Sequence, residues 1–187
     1  ARVMNAETDQ TKGSQKWMQI LVNEFSHLFN QRLASAVEWR SPLEEDAYKE
    51  YQDDAFLEKL GLRNLQQELS EFWPSKGPVW DALGRTQNQY FLVEAKAHVS
   101  EIISSCSARK NSSKQKIMSA VSAIQTYLNV TDGKNWLDGF YQYANRLCHL
   151  YFLREICKKD AYLVFVYFCN DFTFKPTSMD EWAGALN

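Results

Sequence analysis

Apolar residues recur at three- and four-residue steps from Gln15 to Ser35. Trp17, Ile20, Leu21, Phe25, Leu28, Phe29 and Leu33 form one stripe, which predicts a helix. Ser41 offers a cap, Pro42 suits a first helical turn, and Glu44 and Glu45 suit its dipole. A second helix is therefore expected to run to about Leu60, with Gly61 as its stop. A shorter helix is expected from about Asn64 to Phe72, ended by Pro74. The period then changes. Pro78 to Thr86 and Tyr90 to His98 are short runs separated by Gln87-Asn88-Gln89, the pattern of a β-hairpin. Ser100 to Ser105 is a turn or a helix start, and Ser104 to Lys116 a Ser/Lys-rich loop. Ile117, Val121, Ile124, Tyr127 and Leu128 mark the following helix, which stops near Gly133. Another long helix is expected from Trp136 to about Cys157. Ala161 to Cys169 (AYLVFVYFC) is apolar or aromatic throughout. Such a run cannot alternate with water, which predicts an interior strand buried on both faces. The tail holds Pro176 and a helical turn from Met179 to Leu186. Together these elements predict an α/β fold with a small mixed β-sheet flanked by helices. Residues 1–187 are expected to form a single domain: an N-terminal helical lobe to about residue 40, a core over about 41–170, and a tail over 171–187.

Composition supports a folded chain with a large core. Of 187 residues, 45% are hydrophobic and 14% aromatic, including six Trp. A formal net charge of −2 excludes a uniformly basic wrapper of nucleic acid, but the charge is unevenly placed. From Leu43 to Phe72 nine acids face three bases, whereas from Lys96 to Lys159 ten bases face four acids. The molecule is thus expected to present a basic surface apart from an acidic one. Cys106, Cys148, Cys157 and Cys169 form no CxxC pair and stand at no zinc spacing from the three histidines. They read as reduced, buried thiols of a cytoplasmic protein. There is no apolar targeting run at the N-terminus. The longest apolar stretch falls well short of the roughly 20 residues that a membrane helix needs, so no membrane partner is expected.

Candidate chemistry is concentrated between Gly77 and Glu101. Asp81 lies in the first arm of the hairpin, and Glu94-Ala95-Lys96 in the second. Residues i and i+2 of a strand share a face, so Glu94 and Lys96 project together while Ala95 points the other way. A hairpin closing near Asn88 pairs residue 81 with about residue 95, which brings Asp81 opposite Glu94 and Lys96. Two carboxylates near one point suit a hard cation such as Mg²⁺, and an adjacent ammonium can hold water or stabilise charge on a phosphate. An exposed salt-bridged strand pair would use the same residue types. Here, however, the charged pair interrupts the apolar run Tyr90-Phe91-Leu92-Val93.

Asp81 followed thirteen residues later by Glu94-Ala95-Lys96 resembles the PD-(D/E)XK nuclease superfamily, with its restriction-endonuclease-like fold. The resemblance covers about residues 40–170, and Trp80-Asp81 stands where the family has Pro-Asp. It implies an α-β-β-β-α-β core and metal-dependent hydrolysis of phosphodiester bonds in DNA. Mg²⁺ or Mn²⁺ would be held by Asp81, Glu94 and the Ala95 carbonyl, and the catalytic residues would be Asp81, Glu94 and Lys96. The family's additional helix Glu has two candidates here, Glu50 and Glu24.

A second polar group lies on the helix predicted from Trp136. Gln142, Asn145, Arg146 and His149 share one stripe. They form either a satisfied buried network or contacts to phosphate, and some members of the superfamily carry a Gln-x-x-x-Tyr motif on such a helix. His98 shares the face of Lys96 and offers either a phosphate contact or a structural hydrogen bond. Arg109, Lys110, Lys114 and Lys116 form the densest basic patch. It lacks interleaved aromatics, so phosphate contact without base readout is expected there. The expected function is a DNA-cleaving, Mg²⁺-dependent enzyme with His98, Gln142, Asn145, Arg146 and Lys114 on the substrate. The alternative is a non-catalytic interaction or nucleic-acid-binding protein of the same fold. The aromatic-rich helices leave a homo-oligomer open.

Overall fold

The computed structural model describes residues 12–131 and 133–187. Helices α1 (Gly13–Asn23) and α2 (Ser26–Leu33) lead into strand β1 (Glu38–Ser41). Helices α3 (Asp53–Leu60) and α4 (Gln66–Phe72) precede the hairpin of β2 (Ala82–Arg85) and β3 (Gln89–Lys96). Helices α5 (Asn111–Tyr127) and α6 (Tyr141–Tyr151), strand β4 (Asp160–Tyr167) and helix α7 (Met179–Leu186) complete the order. The four strands form one mixed sheet in the order β1-β2-β3-β4. β3 runs antiparallel to β2 and parallel to β4. Among the described residues no helix is long and apolar enough to cross a membrane.

Strand alternation divides the core in two. Phe91, Val93 and Ala95 join Ala82, Trp39 and Val37 on the face covered by Met18 and Val22 of α1 and Phe29 of α2. The N-terminal helices therefore share the core of the sheet. Leu83 and Leu92 face the opposite side, against Phe56, Leu57 and Leu60 of α3, Ile117 and Val121 of α5, and Cys148 of α6. Glu94 and Lys96 belong to this second face, so a helical layer covers them. Gly84 has no side chain for a packing reason: a Cβ there would stand 2.4 Å from Val37 Cγ1 and 2.9 Å from Trp39 Cε3.

Four expectations change. The stripe at Gln15–Ser35 is two helices. Asn23 breaks it by donating through Nδ2 to the carbonyls of Gln19 (2.7 Å) and Pro42 (2.8 Å), while its Oδ1 accepts from the Glu44 amide. The helix expected from Ser41 begins only at Asp53. Ser41 ends β1 instead, and Ala47 and Tyr48 take positive φ angles of 49° and 54° that an α-helix does not accommodate. The helix expected from Trp136 begins at Tyr141. The loop before it is held by backbone bonds from Ser104 N to Gly139 O and from Cys106 N to Leu137 O, both 2.8 Å. The run Ala161–Cys169 is an edge strand. Only Ala161 is fully buried in β4, and Tyr162 is 38% exposed. Its apolar residues face two partial covers, α1 with α2 on one side and α6 with α7 on the other, so continuous hydrophobicity here marks two-sided packing without two-sided pairing.

Candidate functional site

The hairpin register places Ala82 opposite Val93 and Leu83 opposite Leu92, one residue away from the pairing expected at Asp81. Beyond Ala82 the chain leaves β3. Trp80 pairs with Tyr51 instead, its amide donating to the Tyr51 carbonyl at 3.0 Å. Residues 94–96 of β3 thus lose their neighbour on one edge, and Asp81 occupies the gap. Its Oδ2 accepts the Ala95 amide at 2.7 Å. The N–H and C=O of a strand residue emerge on the same edge, so the Ala95 carbonyl is directed to the same gap. Among the described residues Asp81 Oδ1 has no hydrogen-bond donor.

Glu94 is 2% exposed and Lys96 5% exposed. Lys96 Nζ bonds Glu94 Oε1, and Arg146 of α6 takes Glu94 Oε2 through Nε at 2.7 Å and Nη2 at 2.5 Å. A carboxylate offers about four lone-pair sites, so Oε1 keeps one that faces no described donor. Arg146 also donates to Asn145 Oδ1 (2.7 Å) and the Val79 carbonyl (3.0 Å), and its guanidinium lies 5.1 Å from the centre of the Trp80 ring. One side chain therefore ties α6 to Glu94 on β3 and to the segment that delivers Asp81.

The two carboxylates are in contrasting surroundings. Glu94 has two cations. Asp81 is pushed up to about 8, first by burial, then by the charge of Glu94 and more weakly by that of Glu50; the Ala95 amide and Lys96 oppose the shift. Glu50 acts on Asp81 because it precedes Tyr51, the residue bridged to Trp80. Of the two candidates for an added acid, Glu50 thus lies beside the site, though in a loop, whereas Glu24 caps the end of α1.

The remaining predicted residues are scattered around this centre. Asn145, Arg146 and His149 are buried, so their stripe faces inward. Gln142 is half-buried, and its backbone N–H donates to Ser104 Oγ at 2.8 Å. His98 caps the turn after β3: its Nδ1 accepts the Ser100 amide at 3.1 Å, and its ring lies edge-on to Phe174. Arg109, Lys110 and Lys114 are exposed, while Lys116 Nζ is bound to the Ser70 carbonyl at 2.7 Å. Val79 and Trp80, which hold Arg146, had no distinguishing sequence signal beyond their place before Asp81.

An Mg²⁺ or Mn²⁺ ion is compatible with these donors. Asp81 has an oxygen that no described donor occupies, and the Ala95 carbonyl shares its gap. Among the described residues no group of three or more Asp, Glu, His or Cys side chains is arranged to hold a metal, so the protein supplies two carboxylates and a carbonyl at most. That matches the sparse protein coordination usual for Mg²⁺. Comparison with known proteins yields no match to a family model, a curated protein or a solved structure.

Proposed function

We propose that this chain is a metal-dependent nuclease of the restriction-endonuclease-like type, hydrolysing phosphodiester bonds in DNA. The observation that carries the proposal is the gap beside β3, where Asp81, with one oxygen free, adjoins Ala95 between Glu94 and Lys96. The strand arrangement is compatible with it, an antiparallel β1-β2-β3 unit with β4 parallel to β3, although the element order departs from α-β-β-β-α-β: α3 and α4 separate β1 from β2, and α5 and α6 separate β3 from β4.

Asp81, Glu94 and the Ala95 carbonyl would hold Mg²⁺ or Mn²⁺, which supplies polarisation of a phosphoryl oxygen and a lowered water pKa. Lys96 Nζ bonds Glu94 and has further N–H donors to orient a water or meet developing charge on the phosphate. Arg146 fixes the Glu94 rotamer from behind, so that the free side of Oε1 faces a constant direction. Asp81 must lose its proton for the ion to bind, so binding near neutral pH should release protons and tighten as pH rises toward about 8.

Titration calorimetry with Mn²⁺, paired with cleavage assays on single-stranded, duplex and branched DNA, tests the proposal. The expected result is cation binding and cleavage, both lost in Asp81→Ala. Lys96→Ala should lose cleavage while keeping most DNA binding. Cleavage retained in either variant would remove this mechanism.

A second reading has its own support. Both oxygens of Glu94 are already held by cations, as in a satisfied buried network, and this favours a non-catalytic nucleic-acid-binding protein. Metal-independent DNA binding without cleavage would select it.

A further inference from the structure

We propose that β4 pairs with the β4 of a second copy of this chain, antiparallel about a twofold axis at Phe165, so that the two sheets become continuous. The proposal does not depend on the nuclease reading. It starts from a difference between the two edges of the sheet. An open edge invites pairing with another chain unless it is short, charged or bulged. β1 has all three guards: it is four residues long, holds Glu38 and Arg40, and shifts register between Trp39 and Ser41. β4 has none of them. It runs for eight residues in unbroken register with β3. Its single charged residue, Asp160, stands at its start and already accepts from Gln89 Nε2.

The unpaired groups on this edge form a self-complementary set. The Phe168 amide donates to the Lys96 carbonyl at 2.8 Å, so even-numbered residues of this strand turn their N–H and C=O groups toward β3. Ala161, Leu163, Phe165 and Tyr167 therefore turn theirs outward. The Ala161 carbonyl accepts from Arg154 at 3.0 Å, and Cys169 Sγ lies 4.0 Å from the Tyr167 carbonyl. The N–H groups of Leu163, Phe165 and Tyr167 and the carbonyls of Leu163 and Phe165 have no partner among the described residues. A twofold at Phe165 sets this residue opposite its own copy, and Leu163 opposite Tyr167 in both directions. Each of these pairs exchanges two hydrogen bonds, which uses all of the unpartnered groups. A centre at Leu163 would instead displace Arg154 from Ala161.

The side chains agree with that register. Val164 falls opposite Val166 and Tyr162 opposite Phe168 on one face; Leu163 falls opposite Tyr167 and Phe165 opposite Phe165 on the other. Apolar and aromatic cross-strand pairs stabilise a sheet, and no like charges oppose one another here. The edge is also open. Leu163 to Phe168 are half-buried, whereas the interior strand β3 is buried from Phe91 to Lys96. The apolar surface continues onto α6. Tyr143 stacks on Phe165 with ring centres 4.8 Å apart, and it lines a hollow of about 400 Å³ with Trp136, Phe140 and Leu147. Phe140 is 56% exposed. A twofold normal to the sheet sets both α6 helices on one face, so the second copy reaches this flank as well.

Sedimentation equilibrium of the wild-type chain at about 100 μM, where an association of micromolar Kd is nearly complete, tests the proposal. The expected mass is that of two chains. Amide hydrogen exchange locates the contact. The N–H groups of Leu163, Phe165 and Tyr167 should exchange at least about tenfold more slowly at that concentration than at a dilution that separates the copies. Phe165→Pro removes an N–H that β3 does not use and puts a ring in the partner strand's path, a substitution that an outward edge position accommodates. It should weaken association at least about tenfold while keeping the helical circular dichroism of the wild type. A single-chain mass at about 100 μM would overturn the proposal. So would a two-chain mass in which the three amides exchange equally fast at both concentrations, or undiminished association of the folded Phe165→Pro variant. If that variant does not fold, the exchange measurement on the wild type decides.

Discussion

Arg146 and His149 lie one turn apart on α6 and are both buried, yet they meet burial in opposite ways. Arg146 is surrounded by acceptors: the Glu94 carboxylate, Asn145 Oδ1 and the Val79 carbonyl. His149 sits in an aromatic cage, with the rings of Trp73 at 4.9 Å and Phe56 and Trp80 at 6.0 Å, and its Nδ1 on the Asn145 carbonyl at 2.8 Å. Burial, with the Arg146 charge as a lesser cause, pushes His149 down to about 3 despite that carbonyl. It is therefore neutral, with Nδ1 carrying the proton. A buried side chain keeps its charge where the opposite charge is within bonding reach, and gives it up where only rings and amides surround it. The single helix α6 supplies both environments, so the contrast comes from what packs against it.

The largest test breaks the charged half of this contrast. Arg146→Ala removes one of the two cations on Glu94 and the link to Val79. Loss of a partner from a buried pair typically costs about 3–5 kcal/mol, and urea unfolding should show a fall of that order. A change under about 1 kcal/mol would mean that Glu94 is solvated and that Arg146 does not hold it.

The cage makes a pH-dependent prediction. The folded pKa of His149 lies below its ordinary value, so between about 6.5 and 3 the unfolded chain binds the extra proton. The stability due to this depression is fully present above about pH 6.5 and is lost as pH falls toward 3. His149→Phe cannot titrate. The difference in unfolding free energy between wild type and variant, measured from pH 7 to 4, should shift against wild type as acid is added. A constant difference would show that water reaches the ring and that the cage is open.

Much of the site's chemistry was legible because strand parity is a local rule. Glu94 and Lys96 share a face wherever that strand lies, and a three-residue turn holds the register to within one residue, so Asp81 arrives near Ala95. The Gly61 stop, at φ +79°, was equally local. What escaped depended on distant contacts. Nothing near Ser41 signals that Trp39 is drawn into the sheet against Phe29, converting a plausible helix start into a strand end. Arg146 read as a polar stripe, but whether that stripe met solvent or Glu94 depended on how α6 lies across β3. Glu50 became a neighbour of Asp81 only through the Tyr51–Trp80 bridge, 29 residues apart in the chain. In AYLVFVYFC hydrophobicity recorded coverage of two faces, which an edge strand shares with a central one.

The last test concerns Asp81. Its sign is opposite to that of His149. The folded pKa is raised to about 8, so between about 4 and 8 the folded chain holds the proton that the unfolded chain has released. The associated stability is present below about pH 4 and is lost as pH rises through 8. Asn can accept the Ala95 amide through Oδ1 but cannot ionise. Asp81→Asn should therefore match wild type near pH 4.5 and exceed it in urea midpoint near pH 8.5. A wild type that shows no relative loss at pH 8.5 would place Asp81 among ordinary solvated carboxylates. Mg²⁺ sharpens the comparison because it supplies the positive charge that Asp81 lacks. At pH 8.5 it should raise the midpoint of wild type and leave that of Asp81→Asn nearly unchanged, since an ion held by Asp81 and Glu94 stabilises only a chain that keeps both carboxylates.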